Sequence, residues 1–234
     1  MVDSLAKNSP LSTSREDYLA DIYRIQAVGQ SANTGEVASH LGVTPASTSA
    51  MFKRLAQEGL VNYKSYSGVS LTEEGERAAS HIIRRHRVIE RFLTDILGID
   101  WERVDEFANR MEHAMPDEVL EGIERLLGDP DTCPHGYPIP SEDGAIALAS
   151  GQPVESLVAG EFGVIRRVDE SDAQLLRHLR ERGLVPGTAL RVVDANAIDG
   201  TRTLQVGEAT LVIGQRIARA LFVERLAGSD RQGA

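Results

Sequence analysis

The feature that most constrains the fold is a change of hydrophobic period along the chain. Up to about Leu127 the apolar residues recur at helical spacing; beyond Gly160 they fall into short runs punctuated by glycine and proline. Tyr18, Leu19, Ile22, Tyr23 and Ile25 mark one face of a first helix over residues 15–28, with Ser14 as its N-cap and Gly29 at its end. The serine-rich stretch 1–13 before it reads as a flexible leader. A second helix follows Asn33–Thr34, carries Val37, Ala38 and Leu41, and stops at Gly42. Thr44 can cap a third, with Pro45 in the first turn where proline is tolerated, running through Met51, Phe52 and Leu55 to Gly59.

Two short helices joined by Leu41-Gly42-Val43-Thr44 make a helix-turn-helix pattern. The strand-like Leu60-Val61-Asn62-Tyr63 and Val69-Ser70-Leu71, joined through Ser67–Gly68, then form a wing. The alternative is a generic helical bundle with a hairpin; helix order, tight turn and wing together favour a winged helix. Thr72-Glu73-Glu74-Gly75 opens a long helix to about Leu97, striped with Ile82, Ile83, Ile89, Phe92, Leu93 and Ile96. Further helices are expected over residues 101–114 and 116–127. Gly163–Val168, Ala189–Val193, Thr203–Val206, Thr210–Ile213 and Ala220–Val223 read as strands, with one helix over residues 173–182, which suits a small five-stranded barrel. The expected organisation is mainly α with small β. Residues 1–74 form a winged helix-turn-helix DNA-binding domain, 75–140 a helical domain, 141–158 a linker, and 159–227 a β-barrel.

Composition narrows the function. At 234 residues the chain accommodates two or three domains. It has no apolar run near the roughly 20 residues of a membrane span. The first residues lack the basic start and apolar core of a signal peptide, and Cys133 is the only cysteine, which together point to the cytoplasm. A net charge of −10 argues against a general nucleic-acid coat. It leaves room for local DNA contact, because residues 44–70 set Lys53, Arg54 and Lys64 against Glu58 alone, while acid concentrates between Asp95 and Glu124.

The DNA-reading candidates are Thr44, Pro45, Ala46, Ser47, Ser49 and Ala50. A small, hydroxylated helix start can approach base edges closely, and alanines can meet thymine methyls. Lys53, Arg54 and, from the wing, Tyr63, Lys64 and Ser65 are candidates for phosphate. These hydroxyls could equally just cap and solvate a helix. The cation candidates begin with His86 and Glu90, one helical turn apart on one face. Asp105, Asn109, Glu112 and His113 share a face of the next helix, and Asp17 on the first helix could complete a site. Such a set of oxygens and imidazoles suits a hard or borderline divalent ion, although acidic helix residues more often face solvent. Cys133 and His135, hemmed by prolines, are too few for a site and read as part of a structural turn; His40, His81 and His178 show no convergent partners.

Several segments, in order, resemble the diphtheria-toxin-repressor family: residues 15–23 ahead of the winged helix, Arg85-His86-Arg87-Val88-Ile89-Glu90-Arg91-Phe92-Leu93, Glu112-His113-Ala114-Met115-Pro116-Asp117-Glu118 and Cys133-Pro134-His135-Gly136-Tyr137-Pro138-Ile139-Pro140. The resemblance extends to the C-terminal segment, which is similar to the family's SH3-like domain. It implies a homodimeric repressor that binds a palindromic double-stranded operator when metal is loaded, through about two sites per subunit. It implies one site from Asp17, Glu112 and His113, with Asn109 where cysteine or glutamate is usual. The neighbouring site would use His86, Glu90 and Asp105, with Asp169, Glu170 or Asp172 added from the C-terminal domain. Manganese sensors of the family place aspartate in the first helix. With Asp17 there and no sulfur in the set, Mn²⁺ is the expected corepressor, with Fe²⁺ competing. A metalloenzyme using the His/Glu cluster, or a winged-helix regulator of an organic ligand, are the rival readings. Neither an HExxH signature nor a nucleophile elbow is present to support an enzyme.

Overall fold

The computed structural model describes residues 11–64, 67–141 and 147–226, so Ser65, most of the expected leader and the last residue of the expected barrel lie outside it. The chain divides into two compact units: Met1–Arg85 with Pro140–Leu148, and His86–Ile139 with Ala149–Ala234. Among the described residues no helix is long and apolar enough to cross a membrane.

The first unit is a winged helix. Helices α1 (Thr13–Ala27), α2 (Thr34–His40) and α3 (Pro45–Gln57) precede the hairpin β1 (Val61–Lys64) and β2 (Gly68–Leu71), and the start of α4 (Glu73–Asp95) follows. Helix α1 begins ahead of the expected Ser14 cap, because the Ser12 carbonyl already accepts from the Arg15 and Glu16 amides at 2.8 and 3.1 Å. Asn33 caps α2 by accepting from the Gly35 and Glu36 amides, and Thr44 caps α3 by accepting from Ser47, each satisfying donors that a helix start leaves unpaired. The core gathers Leu19, Ile22, Tyr23, Phe52, Leu55 and Ile83, all fully buried, with the Tyr18 ring edge-on to Phe52 and Tyr63 tilted against it. The hairpin is antiparallel, with Val61 opposite Leu71 and Tyr63 opposite Val69. Gly68 has φ of +93°, and a Cβ there would lie 2.8 Å from the Ala32 carbonyl, which accepts from the Val69 amide. A bulkier residue would push the wing off the α1–α2 loop.

The second unit takes the rest of α4, then α5 (Val104–Met111) and α6 (Asp117–Leu127). The helix expected over 101–114 is shorter at both ends. Trp101 is drawn into the apolar core of the C-terminal half and Glu102 into ion pairs with Arg177 and Arg180, so both stay in a turn before the helix. Glu112–Ala114 form a single 3-10 turn ahead of Pro116, which N-caps α6.

The C-terminal half corrects one expectation: no sheet closes into a barrel. Strands β3 (Gln152–Pro153), β4 (Phe162–Val168), β5 (Ala189–Ala195), β6 (Arg202–Val206), β7 (Ala209–Ile213) and β8 (Leu221–Arg225) form one antiparallel sheet in the order β3-β8-β4-β5-β6-β7. The extra strand, β3, falls within the expected linker. Among the described residues no pairing joins the edge strands β3 and β7. The physical reason lies in β3, which is two residues long and contains a proline that has no N–H to offer a further strand. Helices α7 (Ala173–Glu181) and α8 (Gln215–Ala220) contribute Leu175, Leu176, Leu179 and Ala218 to the same core as Ile165, Val192, Leu204 and Val223 of the sheet.

Candidate metal centre and nucleic-acid interface

Helix α4 carries His86 and Glu90 one turn apart on its buried face, and both are almost fully enclosed. His86 Nε2 lies 3.5 Å from Glu90 Oε1 and 3.3 Å from Asp105 Oδ1 on α5. Its other nitrogen, Nδ1, is 2.6 Å from Glu112 Oε2. A carboxylate only accepts, so Nδ1 carries the proton and Nε2 faces the Glu90–Asp105 side. His113 Nε2 stands 3.4 Å from the other Glu112 oxygen. The expected ligands His86, Glu90, Asp105, Glu112 and His113 thus converge in the second unit.

The structure also brings in residues that the sequence reading set aside. The turn at 133–137 closes through the Cys133 amide onto Tyr137 O and the Gly136 amide onto Cys133 O. Gly136 has φ of +90°, and a Cβ there would fall 1.9 Å from the Arg166 carbonyl, so only glycine lets this turn lie against β4. Val168 donates its amide to His135 O, which locks the end of β4 to the turn and brings Glu170 beside it. His135 Nδ1 then lies 3.4 Å from Glu90 Oε1, 3.3 Å from Glu170 Oε2 and 4.0 Å from Cys133 Sγ. Its Nε2 donates to the Trp101 carbonyl at 3.0 Å, and the Trp101 indole N–H donates to Leu176 O at 3.1 Å. The reading of Cys133 and His135 as merely a turn is therefore corrected. They are in a turn, and that turn aims both into a buried group with Glu90 and Glu170. Their spacing was visible in sequence; their carboxylate partners, distant along the chain, were not.

Among the described residues of the second unit two groups of ligand atoms result, His86–Glu90–Asp105 and Glu90–Cys133–His135–Glu170, each with its atoms within 4.8 Å of one another. The donors fit a divalent cation on one observation in particular: neither oxygen of the buried Glu90 carboxylate accepts a hydrogen bond. An uncompensated buried carboxylate is costly, and a bound cation would offset it. Electrostatics agree. Burial opposes charge on His86, yet Glu90, Asp105 and Glu112 outweigh it and hold its pKa well above the usual 6.5. Burial likewise opposes charge on His135, and Glu90, Cys133 and Glu170 raise it well above the same value. Burial alone would raise Glu90, but His135 and His86 hold it well below the usual 4.5. Burial, followed by the Glu90 charge, pushes the Cys133 thiol up. Protons on the two imidazoles therefore stand where a cation would.

Asn109, Asp169 and Asp172 are engaged by other partners. Asn109 donates to Asp105 Oδ2 at 2.9 Å. Asp172 caps α7 through the Gln174 and Leu175 amides and pairs with Arg216, while Asp169 accepts from the Ser171 amide. Glu170 is the acid of this segment that joins the group. Asp17 lies on α1 of the first unit. His40, read as unpartnered, pairs with the buried Asp21 at 2.9 Å.

On the first unit, Thr44, Pro45, Ala46, Ser47, Ala50, Lys53 and Arg54 are exposed along one side of α3, with Ser49 half-buried among them and Lys64 exposed on the wing. Thr48 turns inward, its hydroxyl bonding to the Thr44 carbonyl beside Tyr18. Arg54 is engaged by Glu58, which also pairs with Arg15.

Residues 10–69 match the family described as iron dependent repressor, N-terminal DNA binding domain, and 72–141 match the iron dependent repressor metal binding and dimerisation domain. Residues 153–225 match the FeoA domain. A solved manganese-dependent transcriptional repressor in complex with manganese superposes with a TM-score of 0.85 at 32% identity, covering 91% of this chain and all of that one. The chain belongs to the iron-dependent repressor family. It is a metal-dependent, DNA-binding homodimeric transcriptional repressor of metal homeostasis, not an enzyme. Among its relatives, the iron-dependent repressor IdeR of Mycobacterium tuberculosis is 28% identical over 90% of this chain and 96% of its own length. An uncharacterized HTH-type transcriptional regulator of Methanocaldococcus jannaschii is 39% identical over 50% of this chain and 94% of its own.

Proposed function

We propose that Mn²⁺ is the corepressor, with Fe²⁺ its nearest competitor, and that the loaded dimer binds a palindromic operator. The observation that carries the metal reading is the buried Glu90 carboxylate, flanked by two imidazoles and bonded to no hydrogen-bond donor. Oxygen donors dominate around His86 and Asp105, which favours a harder ion. Cys133 modifies the argument from sequence, which assumed no sulfur: a thiolate in the second group raises the standing of Fe²⁺ and Zn²⁺ there. Similar proteins of known structure include manganese-dependent repressors as well as an IdeR from T. acidophilum.

Asp17 is assigned to a further site with Glu112 and His113, as the resemblance implies, with Asn109 positioning Asp105 instead of supplying a fourth ligand. When bound, the cation would take the place of the imidazole protons that otherwise face Glu90, Asp105 and Glu170. The chain's own part is to orient the donors. Glu112 holds His86 by Nδ1, and the Trp101 carbonyl holds His135 by Nε2, so each imidazole turns its other nitrogen to the carboxylates. In each protomer Thr44, Pro45, Ala46, Ser47, Ser49 and Ala50 of α3 read one half-site, while Lys53, Arg54 and Lys64 hold phosphate. Operator affinity measured at controlled free Mn²⁺, Fe²⁺ and Zn²⁺ tests this. Mn²⁺ should tighten binding at the lowest free concentration that is physiologically buffered, and the Glu112→Ala, His113→Ala double variant should lose that response. An operator affinity indifferent to Mn²⁺ refutes it.

A further inference from the structure

We infer that Glu58 stands in for a DNA phosphate in the free protein: it holds Arg54 until the DNA backbone takes that guanidinium over, while Arg15 keeps the released carboxylate paired. The inference rests on the reading of Arg54 as a phosphate contact and goes beyond it, by naming what Arg54 must leave and why leaving costs little. Glu58 is the only acid between residues 44 and 70, and it lies among the cations of that stretch. It sits at the C-cap of α3, where the helix macrodipole disfavours negative charge, so helix stability does not account for an acid there.

Its two oxygens are divided. Oε2 accepts from Arg15 Nη1 at 2.8 Å, and Oε1 accepts from Arg54 Nε at 3.2 Å. The Arg15 contact is the firmer one. The Arg15 side chain is 18% exposed, and its Nε also donates to Ser12 Oγ at 3.3 Å, which fixes it at the start of α1. Arg54 is 60% exposed and meets Glu58 through Nε, which leaves its terminal nitrogens for a second acceptor. Its pair with Glu58 is a surface i,i+4 pair, of a kind that contributes little. Burial opposes the charge on Glu58, but Arg15 and then Arg54 outweigh it, so the carboxyl is held below its usual 4.5 and is ionised at neutral pH. Were Arg54 its only partner, a phosphate that captured Arg54 would strand that charge. With Arg15 in place, the exchange replaces one acceptor with another. A phosphate contact adds affinity without reading sequence, so Glu58 sets how strongly the protein holds non-operator DNA.

The test is the affinity of the full-length protein, at one fixed free Mn²⁺ concentration, for a mixed-sequence DNA duplex, followed by fluorescence anisotropy across a salt series. Arg54→Ala should make the slope of log K against log salt shallower by about 0.9, the share of one phosphate. Glu58→Gln should tighten binding by about twofold to fivefold, because no pair is given up on binding. On the Arg54→Ala background the same change should bring no such gain. Arg15→Ala should weaken binding, and adding Glu58→Gln should restore most of that loss. A Glu58→Gln variant that binds more weakly makes Glu58 a strut between α1 and α3 and overturns the inference. An equal gain from Glu58→Gln with and without Arg54 also overturns it, since one negative charge fewer explains that by itself. An unchanged salt slope in Arg54→Ala, by contrast, refutes the reading of Arg54 as a phosphate contact, and the inference with it.

Discussion

The exposed face of α3 in the first unit and the charged core of the second are built in opposite ways. On α3 the candidate contacts run contiguously from Thr44 to Arg54, exposed, on a helix whose position is set by a local cap and an apolar core. In the second unit the candidate ligand atoms come from α4, α5, the turn at 133–137 and the segment after β4; those of His86, Glu90, Cys133 and His135 are buried, Glu170 is half-buried and Asp105 exposed. The first arrangement depends on hydrophobic packing that does not involve the cation; the second places like charges together and depends on protons or a cation to hold them. A perturbation of the helix packing in the first unit should therefore leave cation binding unmoved, whereas loss of the cation should lower operator affinity without unfolding the winged helix, and three experiments probe that asymmetry.

The largest effect is expected from Phe52→Ala. Phe52 is fully buried between Tyr18 and Tyr63, and such truncations cost about 3–5 kcal/mol. Denaturant unfolding should show that loss, and operator binding should fall with it. Mn²⁺ bound around Glu90 should persist under native conditions; its disappearance would show that the two regions are not separable.

Acidification should act the other way round. His86 and His135 hold their protons well above pH 6.5 in the cation-free protein, and Glu90 stays ionised far below pH 4.5. The sign follows from the raised imidazole values. Their contribution to stability of the cation-free unit is complete below about pH 6.5 and is lost as pH rises through the raised pKa values. Cation binding expels those protons, so affinity should fall by about tenfold per pH unit for each proton displaced as pH drops below those values. Isothermal titration at several pH values, in buffers of different ionisation enthalpy, would count the protons released. A flat profile across neutral pH would mean that the imidazoles are not ligands.

The smallest effect is expected from Thr44→Ala. The Thr44 hydroxyl accepts from the Ser47 amide at 3.2 Å, and loss of such a cap costs about 1 kcal/mol. Thermal unfolding should register that, with cation affinity unchanged. A drop in operator affinity larger than the cap can explain would identify Thr44 as a DNA contact as well.

Legibility in the sequence follows the same division. The winged helix was readable because its determinants are local: Thr44 and Pro45 at one helix start, Gly42 and Gly59 at helix ends, and alternating strands about Ser67–Gly68. His86 and Glu90 were readable because one helical turn puts them on one face. Cys133 and His135 were not, since a Cys-Pro-His run looks alike whether it turns outward or into an acidic core. The expected barrel failed for a related reason: strand lengths and spacing predict strands but not whether the two edge strands meet, and β3 is only two residues long, one of them a proline with no N–H.

What the sequence determined by itself is the set of parts: a helix-turn-helix, a wing, an acidic helical core with His86 and Glu90 on one face, and a β-rich C-terminal half. Only the tertiary structure decided that Gly136 lets the 133–137 turn lie against β4, that Glu170 rather than Asp172 joins it, and that Glu90 stands between two imidazoles. Periodicity reports which face of an element is buried. It cannot report which distant charge will be buried opposite, and around Glu90 that pairing is what brings the candidate ligands together.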